Sequence, residues 1–325
     1  MAGDTQRKTI LVVGTGVIGS SWTTLFLAKG HKVVVSDPAP GAREKLDQFI
    51  QSEWPRMQKV GIVENADPHA YEFVEDVSQA EAVVKGEIDW IQENAPERAD
   101  FKTDLIGKLD ALLPNKNTII ASSSSGIPSS QFISKCKNAS SRVLIGHPFN
   151  PPHLIPLVEI VPHQDTSSDS VDRAIEFYKS LGKSPVLVKK EVPGFLANRL
   201  QAAVLAEAYS LVSRGVASAE DVDTAMSTGP GLRWALAGPY MTNVLGGGAG
   251  EDPFGHFIKH LGPAIEGWKK DMDEKKFEWQ EPDVDGLIEK VKPFVDTKDR
   301  EGVRRDMGDG LIELLEMKKG KNNLV

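Results

Sequence analysis

From residue 9 to about 190, short runs rich in valine and isoleucine alternate with longer stretches whose apolar residues recur at helical spacing. TILVV (9–13), HKVVVSD (31–37), YEFVED (71–76), DWIQE (89–93), NTIIAS (117–122), RVLIGH (142–147) and LVEIV (157–161) read as strands. The segments near 17–29, 40–60, 97–112 and 168–181 read as helices. Strand and helix in turn predict an α/β domain with a doubly wound, mainly parallel sheet. The polar GIVENADPHAYEF at 61–73 reads as turns between elements. After KKEVPGF (189–195) the β-branched runs cease. NRLQAAVLAEAYSLVSRG (198–215) has helical spacing with Gly215 as a stop, and SAEDVDTAM (218–226) opens on a serine cap and an acidic first turn. We therefore expect a sheet domain over 1–190 and an all-helical second domain over 191–325. Within the latter, VLGGGAGEDPFG (244–255) reads as a glycine-rich loop and KKDMDEKKFEW (269–279) as a solvated helical face.

Length and composition narrow the picture. A chain of 325 residues exceeds what one core usually serves, and 40% hydrophobic with 26% charged residues is ordinary globular usage. A formal charge of -8 gives no broad electrostatic reason to bind nucleic acid or an anionic membrane, so neither is expected as a partner. Cys136 is the only cysteine, which rules out an intrachain disulfide and suits a reducing compartment, with the cytoplasm as the default. The opening MAGDTQRKT lacks the apolar centre of a leader, and no run of 18 apolar residues follows.

Between the first two predicted strands stand Gly14, Gly16 and Gly19, spaced G-x-G-x-x-G. The spacing alone is weak, but here it follows a strand and opens a helix, and Asp37 ends the next strand. Gly14 permits a tight turn, Gly16 lets backbone approach a diphosphate, and Gly19 lets helix and sheet pack closely. Val17 and Ile18 open the helix, whose free N–H groups face the diphosphate. Asp37 accepts from ribose hydroxyls and repels a 2′-phosphate, so the Rossmann-type domain is expected to bind NAD rather than NADP.

Candidate chemistry lies at the far ends of later strands, where open α/β sheets bind ligands. ASSSSG (121–126) clusters hydroxyls there, and GHPFNPP (146–152) places His147 and Asn150. Glu159 stands on the following strand. Imidazole and carboxylate together make a general base whose tautomer is fixed by its partner. A buried, hydrogen-bonded structural histidine with a surface-paired Glu159 stands beside this reading.

GHPFNPPHLIPLVEIV (146–161) and PGFLANRL (193–200), with the glycine motif and serine run in the same order, resemble the 3-hydroxyacyl-CoA dehydrogenase superfamily over residues 8 to 245. The resemblance implies an NAD-dependent dehydrogenase with its substrate in a cleft between two domains. It implies that His147 is the general base, Glu159 its orienting partner and Ser125 a hydroxyl donor to the reacting oxygen, with Ser122, Ser123 and Ser124 as adjacent candidates. Asn198 is then an amide in the cleft, and Glu97 and Lys102 lie near the nicotinamide ribose. Asn150 joins Ser125 and Asn198 on the substrate side. Within the superfamily the chain looks most like the branch of lambda-crystallin, an L-gulonate 3-dehydrogenase, and of carnitine dehydrogenase. Where acyl-CoA enzymes carry a Gly-Tyr-Pro-like stretch, GPGLRWALAGP (229–239) has Leu232, Arg233 and Trp234. Arg233 is suited to clamp a free carboxylate with two N–H bonds, an interdomain salt bridge being the alternative.

L-gulonate, oxidised at carbon 3, is therefore the expected substrate. L-3-hydroxyacyl-CoA and carnitine are the alternatives, beside a non-catalytic, crystallin-like role. The family also implies a homodimer.

Overall fold

The computed structural model describes residues 7–84, 87–112 and 117–324. The first six residues, part of the stretch read above for a leader, lie outside these. The chain divides into two compact units, Met1–Arg199 and Leu200–Val325.

In the first unit the strands are β1 (Thr9–Val13), β2 (Lys32–Ser36), β3 (Tyr71–Val74), β4 (Trp90–Glu93), β5 (Ile119–Ser122), β6 (Val143–Pro148), β7 (Leu157–Pro162) and β8 (Ser184–Leu187). Its helices are α1 (Val17–Ala28), α2 (Ala42–Val60), α3 (Ala80–Val84), α4 (Ala99–Leu112) and α5 (Ser168–Ser180). The strands form one sheet in the order β3-β2-β1-β4-β5-β6-β7-β8. Every neighbouring pair is parallel except β6 with β7. The chain order reverses at β1, whose carboxyl end therefore faces a crevice between diverging connections.

Alternation along β1 separates two cores. Ile10 and Val12 pack with Trp22 and Phe26 of α1 and Phe177 of α5. Leu11 and Val13 pack on the other face with Leu105 and Ile106 of α4. Each strand thus serves a helix layer on either side, which is why β1 and β2 read as continuous apolar runs. Two elements were not expected. The edge strand β8 is short, contains Pro185 and is mostly exposed, so it carries no burial pattern; α3 has only 5 residues.

The second unit contains most of α6 (Ala197–Ser213), then α7 (Ala219–Thr228), α8 (Pro230–Gly246), α9 (Pro253–Glu274), α10 (Asp283–Asp296) and α11 (Arg300–Lys318). Ser218 and Asp221 form a capping box that starts α7. Two sequence expectations are corrected here. The glycine-rich loop is shorter than 244–255, because α8 runs to Gly246 and α9 starts at Pro253. The 269–279 stretch is not a continuous solvated face: α9 ends at Glu274, and Phe277 turns inward to a small core with Val212 and Leu287.

Candidate active site

The glycine loop is shaped by close approach. Gly14 has φ 87°, and a Cβ there would stand 2.8 Å from the Asn94 carbonyl oxygen; one on Gly19 would stand 1.8 Å from the Gly14 oxygen. Gly16 differs, with nothing within 4 Å of its would-be Cβ. The first and third glycines are therefore demanded by the protein's own packing, while the second keeps a surface open. No side chain caps α1, so the N–H groups of Val17 and Ile18 stay available to an anion. Asp37 lies at the tip of β2. Its Oδ2 accepts from the N–H and the hydroxyl of Thr15, each at 2.7 Å, and Oδ1 accepts from the Ala39 N–H at 2.9 Å. The same carboxylate that would meet a ribose thus bolts the glycine loop in place, a role of Thr15 that sequence reading missed. Open glycine, uncapped helix and acidic strand tip fit a dinucleotide.

Glu97, on the 94–98 segment after β4, gathers the serine loop. Its Oε1 accepts from the Ser124 hydroxyl at 2.7 Å, the Ser125 N–H at 2.9 Å and the Gly126 N–H at 3.1 Å. Lys102 is placed otherwise than expected. Only 1% exposed, its Nζ sits 2.9 Å from both oxygens of the buried Glu93 and 3.1 Å from the Ala95 carbonyl, with Glu97 at 3.7 Å. As a buried ammonium it requires that carboxylate, so it supports Glu97 from beneath instead of opening to a ligand.

The four serines separate by partner. Ser122 donates to Glu93, Ser123 to Asn94 and Ser124 to Glu97. Ser123 also accepts from Trp22 and Gln92, a buried mount that sequence reading did not anticipate. The exposed hydroxyl of Ser125 makes no hydrogen bond among the described residues, while its carbonyl accepts from Asn198 Nδ2 at 2.7 Å.

His147 and Glu159 stand directly opposite each other on β6 and β7. Twelve residues apart in sequence, they are cross-strand neighbours because that pair is antiparallel. His147 Nδ1 lies 2.7 Å from Glu159 Oε2, and both side chains are buried. Glu159 Oε1 accepts from the N–H groups of Leu196 at 2.8 Å and Ala197 at 2.9 Å. Burial by itself would raise the Glu159 pKa; the bonds from His147 and from these two amides outweigh it and hold the carboxyl below the usual range. Facing an ionised partner, Nδ1 is the donor, and Nε2 is the ring nitrogen that the pair leaves unengaged. Every fully buried side-chain nitrogen or oxygen among the described residues has a partner, so the unpartnered Nε2 opens to the surface. Glu159 is thus paired with His147 and two amides and not with a surface cation, and His147 is buried and hydrogen-bonded.

Asn150 is exposed at the start of the loop after β6. That loop is fastened by His153, which bonds Ser21 of α1 at 2.7 Å and Glu53 of α2 at 3.1 Å. Phe195, fully buried, has φ 51°, a strained backbone for a bulky side chain that costs about 1–3 kcal/mol. Arg233, described within its own unit, is exposed on α8 and forms no ion pair among the described residues.

Residues 9–192 match the family profile described as 3-hydroxyacyl-CoA dehydrogenase, NAD binding domain, and residues 194–283 match that of its C-terminal domain. A 3-hydroxyacyl-CoA dehydrogenase from Gibberella moniliformis is 52% identical over 88% of this chain and 87% of its own. An L-carnitine dehydrogenase from Oceanobacillus iheyensis is 38% identical over 97% of this chain and 95% of its own. Among solved structures, 5-formyl-3-hydroxy-2-methylpyridine 4-carboxylic acid 5-dehydrogenase superposes with a TM-score of 0.74 at 26% identity, covering 97% of this chain and 99% of that one.

Proposed function

Since the chain belongs to the 3-hydroxyacyl-CoA dehydrogenase family and is an NAD-dependent dehydrogenase, we propose that it oxidises the C3 secondary alcohol of a small L-3-hydroxy acid bearing a free carboxylate. The observation that carries the reaction is the buried His147–Glu159 pair with Nε2 open. Nε2 takes the hydroxyl proton, and Glu159 stabilises the imidazolium that forms. NAD, when bound, supplies the hydride acceptor. Ser125, whose hydroxyl is free, donates to the oxygen as it becomes a carbonyl, and Asn198 acts beside it with the amide capacity left after its bond to Ser125. Gly14, Gly16, Val17, Ile18 and Gly19 hold the diphosphate, Asp37 the adenosine ribose, and Glu97 the nicotinamide ribose, with Lys102 beneath it.

The carboxylate is assigned to Arg233, exposed on α8 and without an acidic partner among the described residues of its own unit. L-gulonate and L-carnitine both satisfy this requirement, and relatives named for carnitine give the latter direct support. The 52% identical relative named for 3-hydroxyacyl-CoA supports a thioester as the second reading. A second copy of the chain is the proposed partner, since Tyr240, Leu245 and Trp268 are 76%, 74% and 62% exposed on α8 and α9.

NADH formation measured with L-gulonate, L-carnitine and L-3-hydroxybutyryl-CoA tests the substrate class. We expect an acid to exceed the thioester in kcat/KM. Arg233→Met should weaken the acid by about 1.5–3 kcal/mol while sparing the thioester. A better thioester, or equal loss on both, overturns the carboxylate reading.

A further inference from the structure

We propose that Phe195 is a positioning residue of the base pair: its left-handed backbone aims the next two N–H groups at Glu159, and its ring closes one side of the His147 imidazole. The inference rests on the reading of His147 and Glu159 as base and partner. Gly194 and Phe195 are consecutive left-handed residues, at φ 74° and 51°, in a turn closed by the Phe195 N–H on the Val192 carbonyl at 3.0 Å. Successive amides that follow such a turn form a concave nest for an anion. Here the nest is made by Leu196 and Ala197, and its anion is the Glu159 carboxylate.

A turn alone would call for glycine, which adopts this backbone freely. Packing alone calls for no left-handed residue at all. Phe195 is the only described non-glycine residue with positive φ, and it joins both demands. Its ring lies 5.6 Å from that of His147 and belongs to the core with Val143, Ile145 and Val161. Phe149 lies 5.4 Å from the imidazole. Among the described residues, His147 is the one titratable group whose charge bears on Glu159. Removing the two amides would therefore leave a buried carboxylate with less compensation. It would hold the shared proton more tightly, so the ionised-carboxylate, neutral-imidazole form would appear only at higher pH.

Phe195→Gly, Phe195→Ala and Phe195→Val all remove the ring but resist the left-handed turn in rising order. Carbon-13 titration of the Glu159 carboxyl, assigned with Glu159→Gln, needs no substrate and is read beside the pH profile of kcat/KM. In Phe195→Gly we expect Glu159 still to titrate below the usual range, with kcat lowered about tenfold and KM changed less than about twofold. In Phe195→Val the Glu159 midpoint and the acid limb should both rise by about one pH unit. Phe195→Ala should fall between, and it replaces Phe195→Val if that protein does not fold. Equal Glu159 midpoints across the series would overturn the role of the turn, and an unchanged kcat in Phe195→Gly the role of the ring. If the parent protein oxidises no hydroxy acid while the midpoints still separate, the proposed function fails and the positioning role stands.

Discussion

Ser122, Ser123 and Ser124 each give their hydroxyl to a neighbouring side chain, and Ser125 keeps its own. This division follows from which strand end each serine meets, since Glu93 and Asn94 lie beside β5 and Glu97 reaches over it. At His147 the partition is between the two ring nitrogens, with Nδ1 held by Glu159 and Nε2 open. His147→Gln keeps a polar side chain of similar reach but removes the basic nitrogen. We expect kcat to fall by roughly 10²–10⁴-fold, the usual worth of a general base, with NAD affinity within about twofold of the parent. Steady-state rates and a cofactor titration measure both, and near-parent turnover would show that another group takes the proton.

Among elements, α1 carries the most. Its first turn is left without a side-chain cap, Trp22 holds the serine loop through Ser123, and Ser21 holds the loop after β6 through His153. His153 also reaches Glu53 on α2, and that hydrogen bond is the main cause that lowers the Glu53 pKa to about 2, with Arg56 adding to it against the opposing effect of burial. A carboxylate depressed on folding stabilises the protein above its unfolded pKa and loses that contribution as pH falls through the folded value. The window here runs from about 4.5 down to about 2. Urea unfolding at pH 5 and pH 3 should show the parent losing stability over this step, and Glu53→Gln losing less. An identical loss in both proteins would mean that the α2 contact does not anchor the loop.

For the molecule as a whole, the two units differ in how they are covered. The sheet unit packs strands between helix layers, whereas α7 and α9 have no buried residue. Helices so poorly covered gain little from their own unit, and the apolar side chains on α8 and α9 have most to gain from a second copy. Light scattering should give about twice the 35.4 kDa chain mass, and Trp268→Glu should shift it toward the single-chain value. A parent mass of one chain would exclude the dimer.

How much of this was legible follows the range of the forces involved. Strand and helix alternation and the glycine motif are written in local periodicity and short spacing, so the sequence by itself determined the doubly wound sheet and offered His147 and Glu159 as candidates. Gly19 belongs to this group, because the clash it avoids is with the Gly14 carbonyl of the same turn, whereas Gly14 avoids the Asn94 carbonyl, which only the pairing of β1 with β4 brings near. Other features required the chain to be closed on itself. Lys102 lies beneath Glu97 because Glu93 from β4 is there to receive it. Phe277 turns inward because Val212 and Leu287 offer a core, although its neighbours in sequence are charged. The strand β8 exists through its pairing with β7, with little burial to announce it. Phe195 holds a left-handed backbone that no propensity favours, because a buried ring and two amides facing Glu159 together outweigh the local strain. Local sequence sets which conformations are cheap, and only tertiary contacts decide which costly ones are held.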